Sequence, residues 1–188
     1  MDFKTYISQF DEILTATDHK TPYNDPHFLE YAKLSYSRTK RWLKSDAINP
    51  ELVALIKSIK NPQKWVLILE HWCADASNIA PFIYLFSELN PLITLEIQLR
   101  DSNSEISNYL TNGSKSIPIF IVRNANNEDL FHWGSRPAKC QEFFLEMKKT
   151  EDRLDELKKL IQIWYNDDKG VSLQEELLAV FNEHKHKF

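Results

Sequence analysis

Glycine and cysteine are both scarce in this 188-residue chain, with three glycines and two cysteines. Two cysteines cannot build the multi-bridge framework of small secreted domains, so a reducing, cytoplasmic compartment is expected. The chain needs no such staples, because at this length about 70% of the unfolded surface can be buried. No apolar stretch approaches the roughly 18 residues of a membrane-crossing helix. The opening MDFKTYISQFDEIL carries charges throughout and no unbroken apolar core, so it does not read as a signal peptide. An excess of positive charge is missing too. The net charge is −4 and the pI about 5.9, which argues against a nucleic-acid partner, since such binders usually present a basic face. There is no phosphate loop, nucleophilic triad or zinc-ligand spacing to support a nucleotide enzyme, hydrolase or metalloenzyme. The closing EHKHKF has no third ligand nearby in sequence, so no metal site is expected there.

What is present is a helical first third, a mixed middle and a helical end. Phe3, Tyr6, Ile7, Phe10, Ile13 and Leu14 recur at helical spacing. Asp25-Pro26 and Asn49-Pro50 each place a capping side chain before a proline suited to the first helical position, and Asn61-Pro62 closes the third helix. KWVLILEHW is a continuous apolar run, as in a strand buried on both faces. A helix from Asn78 to Leu89 follows, with Pro81 inside it. LITLEIQL reads as a second strand, NSEISNYL as a short helix, and IPIFIV and EDLFHW as two further strands joined by a turn. This order makes the first two strands parallel and the last two a hairpin. RPAKCQEFFLEMKK and EDRLDELKKLIQIWYN then read as helices. Ser172 and Glu175 form a capping-box pattern for a last helix whose Leu173, Leu177, Leu178 and Phe181 face the core.

The candidate site lies in EHWCADASNIAP, Glu70 to Pro81, where Cys73 follows Trp72 at the junction of strand and helix. Four features recur in order. WC closes the buried strand; IAP puts Pro81 eight residues after Cys73; SIP puts Pro118 forty-five residues after it; and Gly134 lies sixteen residues beyond Pro118, after the hairpin. In this set the middle of the chain, Gln63 to Lys149, resembles a thioredoxin. WC-x-D-A, TNG-x-x-SIP and WG-x-RP together also resemble a bacterial thioredoxin-like family with extra helices at both ends. The resemblance implies an α/β, thioredoxin-like three-layer fold with a four-stranded mixed sheet. Residues 1–62 would then form an N-terminal helical extension, 63–149 the thioredoxin-like core and 150–188 a C-terminal helical extension. It also implies a cis peptide before Pro118, with Ile117 offering its backbone to an extended peptide, and Gly134 beside the same groove.

Two departures from the thioredoxin pattern matter. The second cysteine, which releases the mixed disulfide formed by the first, is replaced by Ala76. The buried carboxylate that assists it, six residues before the first cysteine, is replaced by Leu67. Cys73 would still lie at a helix N-terminus, where unpaired N–H groups stabilise a thiolate. Arg136 in WGSRP would add positive charge, or act only as a surface arginine. Asp75 would oppose the thiolate, cap the helix or pair with Arg136. Trp72 fits either the rim of the groove or the core, and Cys140 reads as a buried helical cysteine.

Two functions compete. In the first, Cys73 performs monothiol thiol–disulfide chemistry on protein or peptide thiols and disulfides, with glutathione or another low-molecular-weight thiol as co-substrate and no resident cofactor. In the second, the chain is a non-catalytic peptide- or protein-binding module that uses the groove at Pro118. A monothiol glutaredoxin fits less well, because CADA and WGSRP stand where that family resembles CGFS and a glycine–aspartate cluster.

Overall fold

The computed structural model describes residues 1–188. Its centre is a four-stranded sheet of β1 (Gln63–Leu69), β2 (Ile93–Leu99), β3 (Ile119–Arg123) and β4 (Asp129–Gly134), in the order β2-β1-β3-β4. β1 pairs parallel with β2, from Gln63 opposite Ile93 to Leu69 opposite Leu99, and antiparallel with β3. β3 and β4 form the antiparallel hairpin. β1 is therefore central, which explains its unbroken apolar run: both of its faces are covered and Trp65 to Leu69 are buried.

Three helices precede the sheet: α1 (Phe3–Thr15), α2 (Pro26–Trp42) and α3 (Pro50–Ser58). Their starts follow from local chemistry. The Asp25 side chain accepts the His27 N–H and that of Asn49 accepts the N–H groups of Glu51 and Leu52, ahead of Pro26 and Pro50. α4 (Ala74–Ser87) links β1 to β2 and continues through Pro81. It starts earlier than the sequence suggests because Cys73 itself caps it. α1 and α2 pack on α4, with Phe3 stacked on Tyr84 at 4.3 Å and Trp42 tilted against Phe82 at 5.6 Å between ring centroids.

After the hairpin come α5 (Ala138–Met147), α6 (Leu154–Asp168) and α7 (Val171–His184). Phe181 of α7 packs against Trp65 of β1 and Phe131 of β4. The hydrophobic core is continuous from Phe3 on α1 to Phe181 on α7. No helix is long and apolar enough to cross a membrane.

Two local expectations are corrected. The helix expected in NSEISNYL is one 3₁₀ turn, Ile106–Asn108. The expected capping box at Ser172 and Glu175 does not form, because α7 begins at Val171, with Gly170 as its cap, and Ser172 lies within it. Gly170, at φ 80°, turns the chain so tightly that Asp168, at the end of α6, accepts the Ser172 N–H and hydroxyl. A Cβ on Gly170 would lie 2.5 Å from the Phe82 ring, so the turn requires glycine. Glu175 pairs instead with Lys139 of α5.

Candidate functional site

The end of β1 and the turn Glu70-His71-Trp72 deliver Cys73 to the N-cap of α4. The Cys73 N–H donates to the Glu70 carbonyl at 3.1 Å. Extended backbone at Cys73 directs its Sγ at the unpaired N–H of Ala76, 3.5 Å away. That contact favours a thiolate. The thiol also donates to the Ile117 carbonyl at 3.6 Å, a bond only the protonated form can make. Cys73 is 7% exposed. Burial pushes its thiol up to about 12, and the Asp75 carboxylate adds to the shift; the N–H groups of Ala76 and Asp75 and the charge of Arg136 pull the other way without reversing it.

Asp75 pairs with Arg136. Nε and Nη2 of Arg136 donate to its two carboxylate oxygens at 2.9 and 2.7 Å, and the Tyr165 hydroxyl of α6 donates to Oδ1 at 2.7 Å. Burial opposes the guanidinium charge, but the bonds to Asp75 outweigh it and hold Arg136 charged. Arg136 also donates to Gln141 and lies over the Phe144 ring. Its charge is thus spent chiefly on Asp75. Cys140 of α5 is fully buried beside Tyr165, and burial pushes its thiol up to about 12 as well.

The remaining sequence candidates divide into two places. Ile117 and Pro118 are buried, joined by a cis peptide. Gly134, at φ 140°, packs against them: a Cβ there would lie 2.4 Å from the Pro118 carbonyl oxygen. Trp72, Cys73, Asp75 and Arg136 instead line a pocket of about 330 Å³. Ala74 of α4 and Phe144 of α5 add to it, and further walls come from beyond the 63–149 segment. α2 contributes Phe28 and Tyr31, and α6 contributes Leu154, Leu157 and Ile161. Sequence reasoning missed these residues, since their only local signal is the apolar stripe of an amphipathic helix. The two residues lost from a dithiol site, Ala76 and Leu67, are both fully buried.

The central sheet order, the cysteine capping the helix after β1 and the hairpin packed on Pro118 agree with one comparison in particular: a thioredoxin family model matches residues 23–157. The chain belongs to the thioredoxin family. The matched segment takes in α2, α3 and the first turn of α6, so the family pattern includes helices that wall the Cys73 pocket. Two solved structures share this thioredoxin fold. One is a protein of unknown function from Pseudomonas aeruginosa, with a TM-score of 0.57 and 14% identity, aligned over 97% of this chain and 92% of that one. The other is an HIV epitope scaffold, with the same TM-score, identity and coverage. No curated protein matches the chain.

Proposed function

We propose that this thioredoxin-family chain is a binding module in which the Cys73 pocket receives an apolar side chain from a peptide or protein partner, and that the chain does not turn over disulfides. One observation carries the reading: Cys73 is a buried thiol, turned to the Ile117 carbonyl, at the wall of a pocket lined by α2 and α6. Leu154, 59% exposed, stands at that pocket and offers apolar surface to a partner. Because Ile117 and Pro118 are buried, the surface offered lies on the α2–α6 side of Cys73 and not along the Ile117 backbone. Both cysteines are free, in keeping with a reducing compartment.

The second reading, monothiol exchange, is favoured by the Ala76 N–H aimed at Sγ. In that reaction the Cys73 thiolate attacks one sulfur of oxidised glutathione. A Cys73–glutathione disulfide forms and one glutathione thiolate leaves; a further glutathione thiolate then regenerates Cys73 and oxidised glutathione. The pH dependence of Cys73 alkylation in the folded chain, with intact mass after incubation with oxidised glutathione, separates the two readings. The binding module gives a midpoint above the free-thiol value of about 8.5 and no adduct. A midpoint below it, with one adduct lost in Cys73→Ser and kept in Cys140→Ser, overturns the proposal in favour of monothiol chemistry.

A further inference from the structure

A second cavity, of about 550 Å³, shares Phe28 and Trp72 with the Cys73 pocket but takes its other walls from elsewhere. The turn after β1 contributes Glu70 and His71, α1 contributes Gln9, the α1–α2 connection contributes Tyr23, and the segment after β2 contributes Asp101.

Glu70 is the unusual group. It is 6% exposed, yet no lysine, arginine or histidine pairs with it. Its Oε1 accepts the Asp101 N–H at 2.9 Å, and its other oxygen takes no hydrogen bond from the protein. A carboxyl removed from water without a counter-charge is costly unless a cation joins it or it keeps its proton. Burial does push the Glu70 carboxyl up, against the pull of the Asp101 N–H. The charge of Arg100 acts on Glu70 from a distance, without an ion pair. His71 is buried and neutral, its pKa pushed down to about 4 by burial, with Nε2 at 3.1 Å from the Tyr6 carbonyl. Arg100 is committed to Asp101 by two bonds and to the face of Trp72, and it does not line the cavity. Glu12, at the same cavity, adds a further carboxylate. Gln9 has a buried Oε1 with no donor. The rings of Tyr23, Phe28 and Trp72 also line the cavity; the Trp72 face already holds Arg100, and aromatic faces attract cations.

We propose that this cavity binds an organic cation, an alkylammonium group that pairs with Glu70 while its hydrocarbon lies against Phe28 and Trp72. The ammonium brings donors to the free Glu70 oxygen and a positive charge that pairs with it directly. Aromatic walls favour a cation that carries hydrocarbon over a bare metal ion. The same chemistry is offered by a free amine and by a lysine side chain.

The test is a titration of the native chain followed by NMR at the Trp72 indole N–H and the Tyr23 amide. The ligands are n-butylammonium, n-butanol, n-butyrate and Nα-acetyl-lysine amide. Saturable shifts are expected with the ammonium ligands, with butanol and butyrate at least about tenfold weaker. Tighter binding of the lysine derivative assigns the site to a protein side chain, and tighter binding of butylammonium to a free amine; either retains the cation site. Glu70→Gln keeps an oxygen for the Asp101 N–H and should weaken butylammonium at least about tenfold. Equal binding of butanol and butylammonium, unchanged affinity in a folded Glu70→Gln, or no saturable shift overturns the proposal. The ligand series uses the native chain, so the result stands whether or not the variant folds.

Discussion

Tyr165 of α6 donates its hydroxyl to Oδ1 of Asp75 at 2.7 Å, tying the C-terminal helices to the first turn of the cysteine-bearing helix. Both side chains are largely shielded from water, and Asp75 also holds Arg136. Removing the hydroxyl by Tyr165→Phe should cost about 1–2 kcal/mol, because the Asp75 oxygen keeps its bond to Arg136. A lowered urea midpoint at unchanged m checks this, and a faster alkylation of Cys73 would show α6 loosening over the pocket.

Asp75→Asn should separate stability from thiol acidity. The carboxylate raises the Cys73 pKa, second only to burial, so its loss should lower the alkylation midpoint of Cys73. Arg136 would meanwhile lose its ion partner in a mostly buried setting, at a cost of about 3 kcal/mol. Chemical denaturation and pH-dependent alkylation of the same variant read the two effects.

Alkali should destabilise the fold before any phenol titrates. Both thiols are pushed up to about 12 in the folded chain, against about 8.5 when unfolded. From pH about 8.5 upward the unfolded chain releases protons that the folded chain keeps, so stability is fully present below that pH and falls above it. Each thiol contributes a slope of about 1.4 kcal/mol per pH unit. Between pH about 8 and 9, below the range in which the phenols of the unfolded chain lose their protons, Cys140→Ser should remove close to half of the slope of stability against pH; an unchanged slope would mean that the buried thiols are not its source.

Gly134→Ala should be strongly destabilising. A methyl group there meets the Pro118 carbonyl oxygen, a backbone atom that cannot step aside, at a φ of 140° that side chains rarely adopt. The expected loss exceeds about 2 kcal/mol, read as a drop in Tm. Gly113, with open space around its Cβ position, should tolerate alanine better.

Insulin disulfides should not be reduced through thioredoxin reductase. The resolving position is Ala76 and the position of its assisting carboxylate is Leu67, both sealed in the core. Sustained turnover in a coupled NADPH assay would implicate Cys140 and revise the account of the site.

The fold was readable where its causes are adjacent in sequence. Asp25-Pro26 and Asn49-Pro50 place cap and proline side by side, so α2 and α3 start where the sequence says. β1 is apolar throughout because it is central, and the run from Trp65 to Leu69 announces that. The start of α7 is not legible locally because the acceptor at its first turn, Asp168, belongs to the preceding helix. The cluster of Arg123, 4% exposed, with Glu105, Asp129 and Tyr109 brings together three separate segments and leaves no trace in any window of sequence. The site was half legible for the same reason. Trp72, Cys73, Asp75 and Arg136 sit in recognisable motifs, whereas Phe28, Leu157 and Ile161 become walls of the pocket only through helix packing.

Phe28 meets Trp72 edge-on at 5.4 Å, and both rings belong to the two cavities at once. The rings act as a party wall: an occupant that turns either of them on one side reshapes the room on the other. Free energy then flows between the sites in both directions. By whatever factor an apolar partner at Cys73 changes the hold on a cation at Glu70, the cation changes the hold on that partner by the same factor.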